Sequence, residues 1–98
     1  MDVYQKLNEL ESGTSVFVDL HETLLFGDHF GSNVNSNLIS TLIDAQKRGV
    51  LVVLWTGGLW RETVHGVELL KRHGLEVDDV ITGVIKPNLI IDDKCIFP

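Results

Sequence analysis

The sequence predicts an α/β fold: a single domain over residues 1–98 in which a mostly parallel, four-stranded sheet is flanked by helices. Two observations support this prediction. Short, continuous apolar runs alternate with longer segments of helical periodicity, and each helical segment is followed by a glycine. Strands that are apolar along their whole length are typical of a parallel sheet covered by helices on both faces. A chain of 98 residues has room for one such domain.

Three helices are predicted. The first covers residues 1–11, within an N-terminal extension of residues 1–12 that ends at Ser12-Gly13. The second begins at Val34 and stops before Gly49, and the third covers residues 60–72. The side chains expected to face the core are Leu38, Ile39, Leu42, Ile43 and Ala45 of the second helix and Val64, Val67 and Leu70 of the third.

Four strands are predicted, over residues 15–20, 50–55, 79–82 and 89–91. These runs are rich in apolar and β-branched residues and too short to form helices of normal length. Between the first strand and the second helix, residues 21–33 contain Gly27 and Gly31 and are expected to form a loop. This loop is the only segment long enough to act as a flap over a site.

Composition excludes several classes of function. No apolar run approaches the roughly 18 residues that cross a membrane, and the polar, acidic N-terminal segment does not resemble a signal peptide. We therefore expect a soluble, cytoplasmic protein with no membrane partner. Eight Lys and Arg against fourteen Asp and Glu give a net charge of −6, which makes nucleic acid unlikely as a charge-driven partner. A phosphorylated substrate would have to be held by a metal ion or by a few well-placed cations.

Polar residues follow the predicted strands at their carboxyl ends. Asp19 ends the first strand, Thr56 follows the second, Asp92 and Asp93 follow the fourth, and Lys86 lies in the preceding loop. In open α/β sheets, ligands bind at this edge. Paired carboxylates suit Mg²⁺, and a hydroxyl with an ammonium group suits phosphate. Any one of these Asp residues is explained as well by a cap or a turn, but the four features together favour a site.

Three segments resemble motifs of the haloacid dehalogenase-like (HAD) superfamily, in order and spacing. Residues 18–24, Val-Asp-Leu-His-Glu-Thr-Leu, resemble the Asp-x-Asp-x-Thr-Leu run that closes the first strand. Residues 51–56 resemble the hydrophobic strand ending in Thr, and residues 85–93 resemble the Lys followed by a strand ending in Asp-Asp. The resemblance covers residues 15–94 and is to small capless phosphatases. It implies a minimal HAD-like Rossmannoid domain without a cap domain.

The resemblance also implies a role for individual residues. Asp19 would be the nucleophile that takes the phosphoryl group as an aspartyl-phosphate. Mg²⁺ would be held by Asp19, the backbone carbonyl of His21 and Asp92, with Asp93 assisting directly or through water. The phosphoryl oxygens would be bound by a second set of residues, namely Thr56, Gly57 and Lys86.

One position departs from the family pattern. Where the family has a second Asp, which acts as general acid and base, this chain has His21. Three outcomes are open: His21 replaces the acid, since imidazole can shuttle protons near neutral pH; the domain handles only substrates with good leaving groups; or turnover is lost and binding is kept.

Two functional hypotheses follow from this departure. The first is a Mg²⁺-dependent phosphohydrolase that acts on an unidentified phosphomonoester, either a small molecule or a macromolecule. The alternative is a degenerate HAD domain that binds a phosphorylated ligand or a protein partner without efficient turnover. The retained Asp19, Thr56, Lys86 and Asp92 favour the enzyme, and His21 favours the alternative. A homo-oligomer that completes the site, formed through helix 1–11 or a sheet edge, is a further hypothesis.

Overall fold

A computed structural model describes residues 3–21, 23–27, 33–57, 59–82, 90–91 and 96–97. All three predicted helices are present within these residues: α1 over Val3–Glu9, α2 over Ser36–Lys47 and α3 over Trp60–Arg72. The strands of the described residues are β1 (Ser15–Asp19), β2 (Leu25–Phe26), β3 (Asn33–Val34), β4 (Leu51–Trp55), β5 (Asp79–Ile81), β6 (Ile90–Ile91) and β7 (Ile96–Phe97).

The main sheet has three parallel strands in the order β1-β4-β5. The prediction of a fourth strand in this sheet is wrong for the described residues. Ile90–Ile91 does form a strand, but it pairs antiparallel with β7 in a separate two-stranded sheet. The two apolar pairs lie close together in the sequence, and pairing between near neighbours closes a short loop at a small entropic cost.

The segment predicted as a loop over residues 21–33 contains regular structure. Leu25 and Phe26 of β2 pair antiparallel with Val34 and Asn33 of β3. The prediction of a loop throughout is therefore corrected to a short two-stranded ribbon, whose connecting residues 28–32 lie outside the described part of the chain. Leu25 is buried and anchors the ribbon to the core.

The core lies on one face of the main sheet. Val18 of β1 and Val52 and Leu54 of β4 join a single buried cluster with side chains from both α2 and α3. On the opposite face, Phe17 and Leu51 are 51% and 50% exposed, so the predicted cover on both faces is not found at these two positions, whereas the indole Nε1 of Trp55 on that face is buried. The strand order explains this arrangement: two right-handed crossovers that run in the same direction place both helices on the same side.

Glycines end α2 and α3 as predicted. Gly49 has φ +93° and Gly74 has φ +92°, a left-handed conformation that glycine adopts without strain. After α2, Gly49 N donates to Gln46 O and Val50 N to Ala45 O, and the corresponding pair of hydrogen bonds follows α3. Both helices therefore end in Schellman motifs, which satisfy carbonyl groups of the last turn.

The inward face of α2 matches the prediction, but that of α3 matches it only in part. Leu70 is buried and Val67 partly buried, whereas Val64 is 41% exposed. Thr63 and Gly66 occupy the buried stripe with Leu70. A helix that brings a glycine against the core can pack closely there, and the rotation that allows this contact turns Val64 outward.

Candidate functional site

Asp19 is the last residue of β1, and its register partner in the neighbouring parallel strand is Trp55, the last residue of β4. Its side chain is partly buried. Side chains alternate between the faces of a strand, so Asp19 shares the face of Phe17. There the rings of Phe17 and Trp55 stack edge to face, with centroids 5.5 Å apart and an interplanar angle of 84°. Aromatic packing therefore supports the strand ends that carry the carboxylate.

A tight turn follows Asp19 and brings Thr23 back toward it. The carbonyl oxygen of Leu20 accepts hydrogen bonds from the backbone N–H groups of Leu24 and Leu25, at 3.0 and 2.9 Å. These two hydrogen bonds fold the chain back on itself directly after β1. The hydroxyl of Thr23 donates to Oδ2 of Asp19 at 3.4 Å. Sequence reasoning included Thr23 in the motif of residues 18–24 but gave it no role.

Asn35 connects this turn to α2 and was also missed. Its Nδ2 donates to the carbonyl of Thr23 at 3.2 Å, and its backbone N–H donates to the carbonyl of Leu24 at 2.8 Å. Its Oδ1 accepts from the backbone N–H of Leu38 at 3.2 Å, which caps the first turn of α2. An asparagine just before a helical segment is a recognised N-cap signal, but the contact with the turn depends on the fold.

Thr56 and Gly57 follow β4 at the same edge of the sheet. The backbone N–H of Thr56 donates to the carbonyl of Ile81 at 2.9 Å, which extends the pairing with β5 by one residue. Thr56 is 1% exposed, whereas Gly57 is exposed. Helix α3 begins at Trp60, with Leu59 at the N-cap position and no side-chain hydrogen bond to the cap. The first turn of α3 therefore has no side-chain cap for its backbone N–H groups.

His21 lies two residues after Asp19, is partly buried, and forms an isolated β-bridge with Leu25. Its backbone is therefore held by the ribbon rather than by the main sheet. The other three predicted site residues, Lys86, Asp92 and Asp93, lie outside the described part of the chain. Asp19 and His21 thus lie at and just after the end of β1, and Thr56 and Gly57 follow the end of the adjacent strand β4.

The oxygen donors among these residues fit a hard divalent cation in kind. The Asp19 carboxylate and the His21 backbone carbonyl are the ligand types that Mg²⁺ takes. Among the described residues, no three His, Cys, Asp or Glu side chains cluster in a way that could hold a metal ion.

One buried polar atom is unexplained by the described contacts. Nε1 of Trp55 is buried and has no hydrogen-bond partner within the described part of the chain. The indole ring nevertheless packs against Phe17 beside the strand end that carries Asp19.

Comparisons with known proteins found no relative: no family model, no curated protein and no solved structure matches the chain. Among the described helices, none has both the length and the apolar character needed to cross a membrane. The interpretation of the site therefore depends on its own residues.

Proposed function

We propose that this chain is a Mg²⁺-dependent phosphohydrolase of the HAD type, which hydrolyses a phosphomonoester through an aspartyl-phosphate on Asp19. The observation that carries the proposal is the position of Asp19. It is a partly buried carboxylate at the carboxyl end of a parallel strand, with one oxygen engaged by the hydroxyl of Thr23. A carboxylate held in one orientation at the ligand-binding edge of an α/β sheet suits nucleophilic attack.

The proposed chemistry has two steps. In the first, an Asp19 carboxylate oxygen forms a bond to phosphorus while the ester P–O bond breaks, and the leaving oxygen takes a proton from His21. In the second, His21 takes a proton from water, whose oxygen attacks phosphorus, and the bond to Asp19 breaks to give inorganic phosphate. Bound Mg²⁺ would offset the negative charge that gathers on the phosphoryl oxygens.

The neighbouring strand end would hold the phosphoryl oxygens. Gly57 is exposed and begins the link to α3, whose N-terminal backbone N–H groups favour an anion. The near-complete burial of Thr56 gives its hydroxyl little accessible surface in this conformation. We therefore propose that backbone N–H groups make the first contact with phosphate, and that Thr56 and Lys86 complete the binding.

The direct test is hydrolysis of p-nitrophenyl phosphate by the purified chain with Mg²⁺. We expect turnover by the wild type, and we expect both EDTA and Asp19→Asn to abolish it. Asp79→Asn is a matched control, because it removes an exposed carboxylate from the first residue of β5, the strand at the other edge of the sheet from β1. If Asp19→Asn hydrolyses the ester as fast as the wild type does, Asp19 is not the nucleophile.

His21 supports the alternative of a phosphate-binding domain without efficient turnover, because it stands where the resembled motif has its second Asp. The variant His21→Asp separates the two functions. If the wild type shows no turnover and His21→Asp gains it, the rest of the site is competent and His21 is what prevents catalysis. Slower turnover by His21→Asp than by an active wild type would show that the imidazole is the working acid and base.

A further inference from the structure

We propose that Asn35 is a positioning residue for Asp19. It acts through Thr23, by holding the turn of residues 20–25 against the start of α2. The effect on catalysis depends on the function proposed above, whereas the effect on the orientation of the carboxylate does not. The two consequences are therefore measured separately.

Asn35 makes three hydrogen bonds that join the turn to α2. Its side-chain amide donates to the carbonyl of Thr23, its side-chain oxygen accepts from Leu38 N–H, and its backbone N–H donates to the carbonyl of Leu24. One residue thus fixes two successive carbonyl groups of the turn to the first turn of a twelve-residue helix. Among the residue types preferred at an N-cap, asparagine alone carries a donor and an acceptor on two separate side-chain atoms.

The contact between Asn35 and Thr23 keeps the hydroxyl of Thr23 within reach of the Asp19 carboxylate. The hydroxyl of Thr23 lies 3.4 Å from Oδ2 of Asp19, near the outer limit for a hydrogen bond. A displacement of the turn by a few tenths of an ångström away from β1 would break this bond. The carboxylate of Asp19 could then rotate about its last side-chain torsion, which has a broad energy profile. The orientation of Asp19 therefore depends on where Asn35 holds Thr23.

One substitution separates the positioning of Thr23 by Asn35 from the capping of α2 by the same residue. Asn35→Asp keeps an oxygen that can accept from Leu38 N–H, and aspartate is as good an N-cap as asparagine. It removes the donor to Thr23 and puts a carboxylate oxygen against a carbonyl oxygen. The helix should stay capped, and the bond from the backbone N–H of residue 35 to Leu24 should remain, while the side-chain hold on Thr23 is lost. Asn35→Ala removes both contacts and serves as the comparison for lost capping.

The matched control is Asn37→Asp, the same chemical change two residues further on. Asn37 is exposed in the first turn of α2, so the variant adds the same charge to the same helix end without touching the turn. We expect Asn35→Asp and Asn37→Asp to melt within about 3 °C of the wild type, and Asn35→Ala to melt about 5 °C lower.

The readout of position is the ¹³C resonance of the Asp19 carboxyl carbon, assigned by its loss in Asp19→Asn. We expect Thr23→Val to move this resonance, Asn35→Asp to move it in the same direction, and Asn37→Asp to leave it in place. The inference is overturned if Asn35→Asp leaves the resonance unmoved, or if Thr23→Val does so. This outcome can be read whether or not the chain hydrolyses phosphate esters.

The readout of function is a double-mutant cycle on p-nitrophenyl phosphate hydrolysis. We expect Asn35→Asp to lower kcat by about 10- to 100-fold with little change in KM, since misplacing a reacting group by about 1 Å costs that much. Combined with Thr23→Val, it should lower kcat no further than Thr23→Val alone. Effects that multiply would show that Asn35 does not act through Thr23. If the wild type does not hydrolyse the ester but the carboxyl resonance moves as expected, the proposed function is refuted and the positioning role of Asn35 remains.

Discussion

Gly66 of α3 lies directly against Leu20, the residue that follows Asp19. A Cβ atom at position 66 would lie 2.7 Å from Cδ2 of Leu20 and 3.2 Å from Cδ1 of Leu25. Both leucines are buried at the two ends of the turn that carries Thr23. Helix α3 lies so close to this turn that a side chain at residue 66 would displace the end of the Leu20 side chain, and the contact ties the helix to the segment that orients the carboxylate.

We expect Gly66→Ala to destabilise the protein by up to about 2 kcal/mol. Alanine is favoured over glycine inside a helix by about 1 kcal/mol, but overpacking a core costs about 1–3 kcal/mol. Urea denaturation measures the difference. Glu68→Ala, at an exposed position of the same helix, is the control and should stay within about 0.5 kcal/mol of the wild type. Stabilisation of Gly66→Ala would show that Leu20 and Leu25 move aside freely.

Asp78 fixes the start of β5 to β4, and its loss should be costly. Its Oδ2 accepts from Val52 N–H at 2.7 Å and from Nε2 of Gln46 at 3.2 Å. Asp78→Ala leaves the Val52 N–H without this partner, and we expect a loss of about 1–3 kcal/mol in the free energy of unfolding. Asp78→Asn keeps an oxygen acceptor and should lose less than half as much. Equal losses for the two variants would show that charge, rather than the hydrogen bond, is what matters.

Trp55→Phe should change stability by less than about 1 kcal/mol. The substitution removes the buried Nε1–H, which has no partner within the described part of the chain, and relief of such a group offsets the packing lost with the larger ring. The edge-to-face contact with Phe17 is kept. Trp55→Ala loses that contact as well and should cost more than about 2 kcal/mol. A comparable loss for Trp55→Phe, measured by urea denaturation, would indicate that the indole N–H is hydrogen-bonded in solution.

Mg²⁺ should raise the melting temperature of the wild type and have no such effect on Asp19→Asn. A cation that binds only the folded chain adds about 2.7 kcal/mol to the free energy of unfolding at a free concentration of 100 times its Kd. Differential scanning fluorimetry with and without EDTA measures the shift. Asp79→Asn should respond as the wild type does. A shift of equal size in Asp19→Asn would place the cation away from Asp19.

The helices and strands were predictable where local signals agree with the fold. Helix α3 has the predicted bounds because Gly74 stops it and charged residues fill its last turn. The ribbon of β2 and β3 was not predictable, since two-residue strands give no periodicity and the pairing of Leu25 with Val34 spans the loop. Val64 was assigned to the core on hydrophobicity, which does not reveal that Gly66 makes the close contact.

The residues of the candidate site also divide into those that local signals predict and those that depend on the fold. Asp19 and Thr56 were predicted as site residues because they follow apolar strands, and Gly57 was predicted from the resemblance; the parallel register of β1 and β4 brings the two strand ends side by side. Thr23 and Asn35 were missed as functional residues because their hydrogen bonds join segments whose relation is set by the turn and the ribbon. Periodicity alone carries no information about such contacts.

Within the described part of the chain, alternate positions of β1 and β4 face the helices. Buried side chains occupy the even positions Val18, Val52 and Leu54, while Asp19 lies on the opposite, half-open face. Inserting or deleting one residue within β1 would exchange the two faces and turn the carboxylate toward the helices, whereas a change of two residues would keep it on its side. Chains that share this arrangement should therefore tolerate changes in the length of this strand only in pairs.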